Sequence, residues 1–195
     1  MNQRDALLEG AKKCLVEKGH GHTTARDIAA ASGAHLGSIG YHFGSKDHLM
    51  SLAAIELTSE WGDTVERAAR ASGGETPGER LVALLSELLD ALPASHDLQS
   101  AGLQALAQSQ FDDGLRAVLA DGQGQGRAVM ASVVLGREDL DPGSPEARGV
   151  GSLVYAIVIG LVAQAFVNPE ALPDSERVTG ALGLLRESDN AADAK

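Results

Sequence analysis

"TTARDIAAASGAHLGSIGYHFGSKDHLM", residues 23–50, decides how the chain is read. Thr24 is a good helix N-cap, and Asp27 three residues on completes a short capping box. A short helix is therefore predicted up to Ser32, where Gly33 breaks it. Ala29 is small and lies four residues before Gly33, so a following helix can come close. That second helix is predicted from about Leu36 to Phe43 and ends at Gly44. Ile28 and Ile39 are placed to meet beneath the turn. Upstream, Leu8, Ala11 and Leu15 form a stripe that stops at Gly19, a supporting helix by its spacing. Three helices with a glycine turn between the last two form the helix-turn-helix plan.

The second short helix has little apolar surface beyond Ile39 and Phe43. His35, Ser38, Tyr41 and His42 remain, all hydrogen-bonding side chains. Such a set suits a helix lying in a groove of duplex DNA: hydroxyl, imidazole and amide groups hold phosphates while a few side chains reach base edges. Gly37 and Gly40 leave the backbone free to approach. Lys46 and the first amides of the next helix offer a further phosphate site.

Over these residues the chain resembles the tetracycline-repressor (TetR) family. The resemblance is specific over about the first fifty residues; beyond them it rests on length and helix count. It implies an all-α homodimer that represses transcription and leaves a double-stranded operator when a small-molecule effector binds the C-terminal domain. It also implies phosphate contacts from Thr24, Tyr41, His42 and Lys46, and base or groove contacts from Arg26, His35, Leu36, Gly37 and Ser38. Gly40 departs from the family pattern, in which an aromatic residue is frequent there. A contact is expected to be missing, and the helix to be weakened, since a helical glycine costs about 1 kcal/mol against alanine.

Helical spacing continues through the rest of the chain, and no strand pattern is found. Ser45 caps a long helix with the stripe Met50, Ala54, Leu57, Trp61 and Val65. Thr76, Pro77 and Glu79 are the cap, first-turn proline and capping-box glutamate of another. Its stripe is Leu81, Leu84, Leu88 and Leu92, and Pro93 ends it. Leu98 to about Val134 reads as helix with interruptions, and "DGQGQGR", Asp121–Arg127, as a flexible break. That stretch is no phosphate loop, because it follows no strand and lacks the Gly and Lys-Ser/Thr spacing. Ser144–Val167 is a long apolar helix, with no charge from Val150 to Val167. Asp174 caps a last helix to about Arg186, and residues 188–195 read as a disordered polar tail.

Composition bounds the partners. The net charge is −11, yet residues 1–48 hold six Lys/Arg against five Asp/Glu and five of the six histidines, while the remainder holds ten against twenty-two. The acidity thus belongs to the part away from the proposed DNA surface. The single cysteine, Cys14, forms no internal disulfide and is expected to be a small core residue. No secretory leader precedes the first amphipathic pattern, so a cytoplasmic protein is expected. His20, His22, His42 and His48 lack acidic or cysteine partners at ligand spacing, so no metal is expected. Beyond residue 48 the one histidine, His96, stands without a nucleophile set. No enzyme and no cofactor are expected.

The resulting fold class is all-α, with an N-terminal three-helix helix-turn-helix domain (1–48) and a C-terminal helical ligand-binding and dimerisation domain (49–187). Trp61, Gln104, Gln108, Phe111, Met130, Tyr155 and Phe166 are the candidate effector-binding residues. Ser144–Val167 and Asp174–Arg186 are the expected dimer seam, in preference to a membrane span. Two rival readings stand beside this one. One is a small-molecule binding protein with a vestigial helix-turn-helix; the other is a membrane-anchored protein.

Overall fold

The computed structural model describes residues 2–192, with side chains through Leu184. Among the described residues every regular element is helical: α1 (Gln3–Lys18), α2 (Ala25–Ser32), α3 (Gly37–Phe43), α4 (Lys46–Ser72), α5 (Pro77–Ala91), α6 (His96–Gln108), α7 (Asp113–Leu135), α8 (Ser152–Val167) and α9 (Ser175–Ala192), with short 3-10 turns at Pro93–Ser95 and Pro169–Ala171. The chain forms two compact units, one of residues 1–62 with 95–122 and one of 63–94 with 123–195. The helix-turn-helix of residues 1–48 lies within the first.

In the first unit α1 packs chiefly on α2, and also on α3 and α6. Leu7, Leu8, Ala11, Cys14 and Leu15 of α1 share one core with Ile28, Ile39, Phe43, Leu49 and Met50. Ile28 and Ile39 both belong to that core. A close helix–helix approach is also made by Gly10 of α1. A Cβ there would stand 2.8 Å from the Ser32 Cβ and 3.1 Å from the Ile28 carbonyl oxygen. Local spacing could not reveal this, because the demand comes from a helix eighteen or more residues away. Lys12 is held between α1 and α4 by Glu9 (3.1 Å), Glu56 (3.6 Å) and Glu60 (2.6 Å). Those carboxylates, the Glu60 hydrogen bond foremost, keep its ammonium well above the ordinary lysine range.

In the second unit α5 packs against α8 and α9. Thr76 and Glu79 close the capping box at the start of α5, with Pro77 in the first turn. Arg80 then fastens this end: its Nε donates to the Val134 carbonyl (2.9 Å) and its Nη1 to the carbonyls of Gly74 (3.0 Å) and Glu75 (3.1 Å). Such bonds satisfy carbonyls left over at helix ends. Leu84, Leu85, Leu88, Ala131, Val133, Val154, Leu161 and Val162 are buried.

The fold corrects several sequence expectations. Asp121–Arg127 is not a break, since α7 runs through it without interruption. The helix tolerates its glycines because packing fixes at least one of them: a Cβ on Gly126 would stand 2.8 Å from the Tyr155 ring. The interruption falls instead at residues 109–112. There Arg116 donates to the Ser109 carbonyl (3.2 Å), and Asp112 caps the next helix through the Leu115 amide (2.9 Å). Ser144–Val167 is not uniform α-helix, because Ala147–Gly151 is a π-helical turn. Helix α9 extends to Ala192, past Arg186, as no glycine or proline stops it there. Of the expected tail 188–195, residues 193–195 lie outside the described residues.

Candidate nucleic-acid interface

Helix α2 is nucleated by its capping box. The Thr24 hydroxyl accepts from the Asp27 amide (3.2 Å) and donates to the Asp27 carboxylate (2.6 Å), which also accepts from the Thr24 amide (2.9 Å). Lys18 pairs with the same carboxylate at 2.5 Å. The Lys18 and Thr24 hydrogen bonds hold Asp27 far below the ordinary aspartate range. Gly33 takes a left-handed conformation (φ 69°) and turns the chain into α3, and Gly44 (φ 73°) ends α3. L-residues rarely adopt these angles, so the turn needs glycine.

Two apolar anchors, Ile39 and Phe43, sink α3 into the core at 4% and 7% exposure. The other face is left to solvent. His35, Leu36, Gly37 and Tyr41 are exposed, Ser38 and His42 half-buried, and Thr24 and Arg26 exposed on α2. Tyr41 is 86% exposed. Its ring meets that of His42 edge-on at 4.9 Å between centroids, which stiffens the pair. Exposed Gly37 and Gly40 have no atom within 4 Å of where a Cβ would stand. The sequence-chosen residues thus lie on α3, the turn before it and the start of α2, and each is exposed or half-buried.

Lys46 is more engaged than its sequence role implies. Its Nζ donates to the Thr23 carbonyl (3.2 Å) and pairs with Asp47 (3.1 Å). It therefore ties the start of α4 to the entry of α2, leaving part of its donor capacity for an anion. Burial and the nearby Lys46 charge push His20 below the ordinary histidine range. Arg4 stacks over the Phe43 ring at 5.1 Å. A further link, His48 to Asp112 at 2.6 Å, joins the first turn of α4 to the cap of α7 within this unit. The Leu115 amide and the His48 hydrogen bond keep Asp112 below the ordinary aspartate range. The sequence held no signal for that pair, whose members are 64 positions apart.

The candidate effector residues fall in both units. In the first, Trp61 is half-buried, while Gln104, Gln108 and Phe111 are exposed, Phe111 to 86%. In the second, Met130, Tyr155 and Phe166 are half-buried. Within its own unit, a residue as exposed as Phe111 lines no interior cavity.

The profile of bacterial regulatory proteins of the tetR family matches residues 7–53. The profile of the BetI-type transcriptional repressor C-terminal region matches residues 77–182, more than half of the chain. The chain belongs to the TetR family. The TetR-family repressor AcnR of Corynebacterium efficiens is 30% identical over 123 residues, which cover 63% of this chain and 59% of that protein. The chain therefore spans about three-fifths of that relative's length. Among solved structures, a transcriptional regulator from Rhodococcus sp. Rha1 superposes with a TM-score of 0.58 at 23% identity, covering 94% of this chain and 93% of the other. The multidrug binding protein EbrR, complexed with proflavin, gives 0.64 at 20% identity, covering 94% and 99%. These two likenesses speak for the fold.

Proposed function

We propose that the chain is a cytoplasmic, non-enzymatic transcriptional repressor that binds a palindromic operator as a homodimer and is released by a small-molecule effector. One observation carries the DNA reading. Between its two glycine stops, α3 commits Ile39 and Phe43 to the core and leaves His35, Leu36, Gly37, Ser38, Tyr41 and His42 to an outside partner. In this reading Tyr41, His42 and Lys46, with Thr24 and the first amides of α2, hold phosphates. Arg26, His35, Leu36, Gly37 and Ser38 face the groove. Thr24 must then share its hydroxyl between Asp27 and the phosphate, which favours the α2 amides as the stronger donors there.

Dimerisation is supported by α8 and α9. Leu153 (70% exposed), Ile157 (43%), Val167 (86%) and Leu184 (71%) are large apolar side chains left uncovered in the single chain. The segment Ala147–Val167 is long and apolar enough to cross a membrane by length and composition, with a mean hydropathy of 2.2. A second copy of the same face is the occupant that also explains a two-fold operator. The effector is assigned to the second unit, with Met130, Tyr155 and Phe166 as its contacts. The neighbour seen with proflavin is of the same fold. Helix α4 is one unbroken element from Lys46 past Trp61 to Ser72.

The test begins by selecting bound fragments from genomic DNA and measuring their affinity against salt. A specific site with a steep negative slope of log affinity on log salt is expected. In Lys46→Ala the slope should shrink by about 0.9, with all sites weakened alike. Absence of any selected fragment would leave the rival reading, a small-molecule binding protein with a vestigial helix-turn-helix, which the bare Gly40 position favours.

A further inference from the structure

The glycine-rich stretch before Arg127 has a role in packing, and Arg127 itself has none that its neighbours explain. Its Nε is buried and has no hydrogen-bond partner. Among the described residues it forms no ion pair, whereas Arg70, Arg116, Arg137 and Arg177 each pair with a carboxylate. A buried guanidinium N–H left unpaired is costly, more so than a neutral donor. The surrounding backbone holds it in place. Gly126 lies flush against the Tyr155 ring, with a would-be Cβ 2.8 Å from its Cε2. A Cβ on Gly151 would collide with the Arg127 carbonyl oxygen and stand 3.3 Å from the Ala131 Cβ. Two points of contact, 126 with 155 and 127 with 151, thus fix the register of α7 against the π-helical turn and α8. Such π turns recur at functional sites.

We infer that Arg127 and Tyr155 form a recognition site for an organic monocarboxylate with an apolar body. The guanidinium fork fits a carboxylate in two parallel hydrogen bonds, and the phenol supplies a further donor. Tyr155 packs beside Arg127's neighbour Gly126, and the Arg127 charge opposes the burial that raises the phenol's pKa. Met130, one turn on from Arg127, and the Tyr155 ring supply apolar surface. A single guanidinium balances a single negative charge, which favours carboxylate over a phosphate dianion. The site rests on the reading that the second unit takes the effector, and it narrows that effector to an anion.

Calorimetry on the full chain tests the site with benzoate, its neutral isostere benzamide, and inorganic phosphate. Saturable binding of benzoate, with neither benzamide nor phosphate binding, is expected. Arg127→Met should weaken it about tenfold or more, Arg127→Lys less, and Tyr155→Phe a few-fold. Circular dichroism melting should show Arg127→Met at least as stable as the natural chain, since a buried N–H without a partner is removed. Equal binding of benzoate and benzamide, equal affinity in Arg127→Met, or no binding of benzoate at all would each overturn the site. Operator affinity with and without saturating benzoate is a separate measurement. If it stays unchanged while Arg127-dependent binding holds, the effector reading falls and the carboxylate site stands.

Discussion

Gly40 of α3 and Gly126 of α7 both stand inside a helix, in opposite surroundings. In α3 nothing lies within 4 Å of the missing Cβ of Gly37 or Gly40; in α7 the place beside Gly126 is filled by Tyr155. A glycine in open space leaves the backbone bare on that side. A glycine against a ring is a packing requirement already met by the chain itself. The two look alike in sequence, and only the partner's position distinguishes them.

The largest effect is expected where packing is tightest. Gly151→Ala drives a methyl group into the Arg127 backbone, which cannot swing aside as a side chain does. A loss of about 3 kcal/mol or more is expected, read as a lowered urea midpoint. Gly126→Ala meets a movable ring and should cost about 1–2 kcal/mol. Adding Tyr155→Leu should recover part of that loss in a double-mutant cycle; strict additivity would mean that the ring is not what Gly126 accommodates. Gly40→Ala should have the opposite sign. With open space around its Cβ it gains up to about 1 kcal/mol in stability, and any fall in operator affinity then measures the bare backbone's part in binding. A stability loss at Gly40 would end the comparison.

The smallest effect concerns acid. Asp27 is depressed in the folded chain, so the unfolded chain takes up its proton first. Its contribution is complete above its ordinary value near 3.8 and is lost as pH falls from there towards the folded value. Asp27→Asn should leave the neutral-pH behaviour of α3 intact while flattening the loss of stability below about pH 4. An unchanged acid limb would show that the Lys18 pair and the capping box hold no stability.

What was legible in the sequence was local. Thr24 with Asp27, Thr76 with Glu79, and the stops at Gly19, Gly33 and Gly44 act over three or four residues, and each forms as its spacing implies. The donors of α3 stood out because so little apolar residue separated them. What was missed is tertiary. Gly10 matters because of Ser32, and His48 because of Asp112. The run at 121–127 reads as a break because glycine signals one, yet α7 continues through it with Tyr155 packed against Gly126. Residues 109–112 break the helix with only serine, glutamine, phenylalanine and aspartate, where no glycine or proline marks the place.

Cys14 is the only sulfhydryl in the chain, and it is 2% exposed. Burial also raises its pKa, so little of it is thiolate near neutral pH. For labelling chemistry the natural protein is therefore close to a cysteine-free background. A cysteine placed at an outward position such as Tyr41 or Phe111 is the one that a maleimide dye or spin label reaches, with no need to remove the buried one and disturb the core it helps to fill.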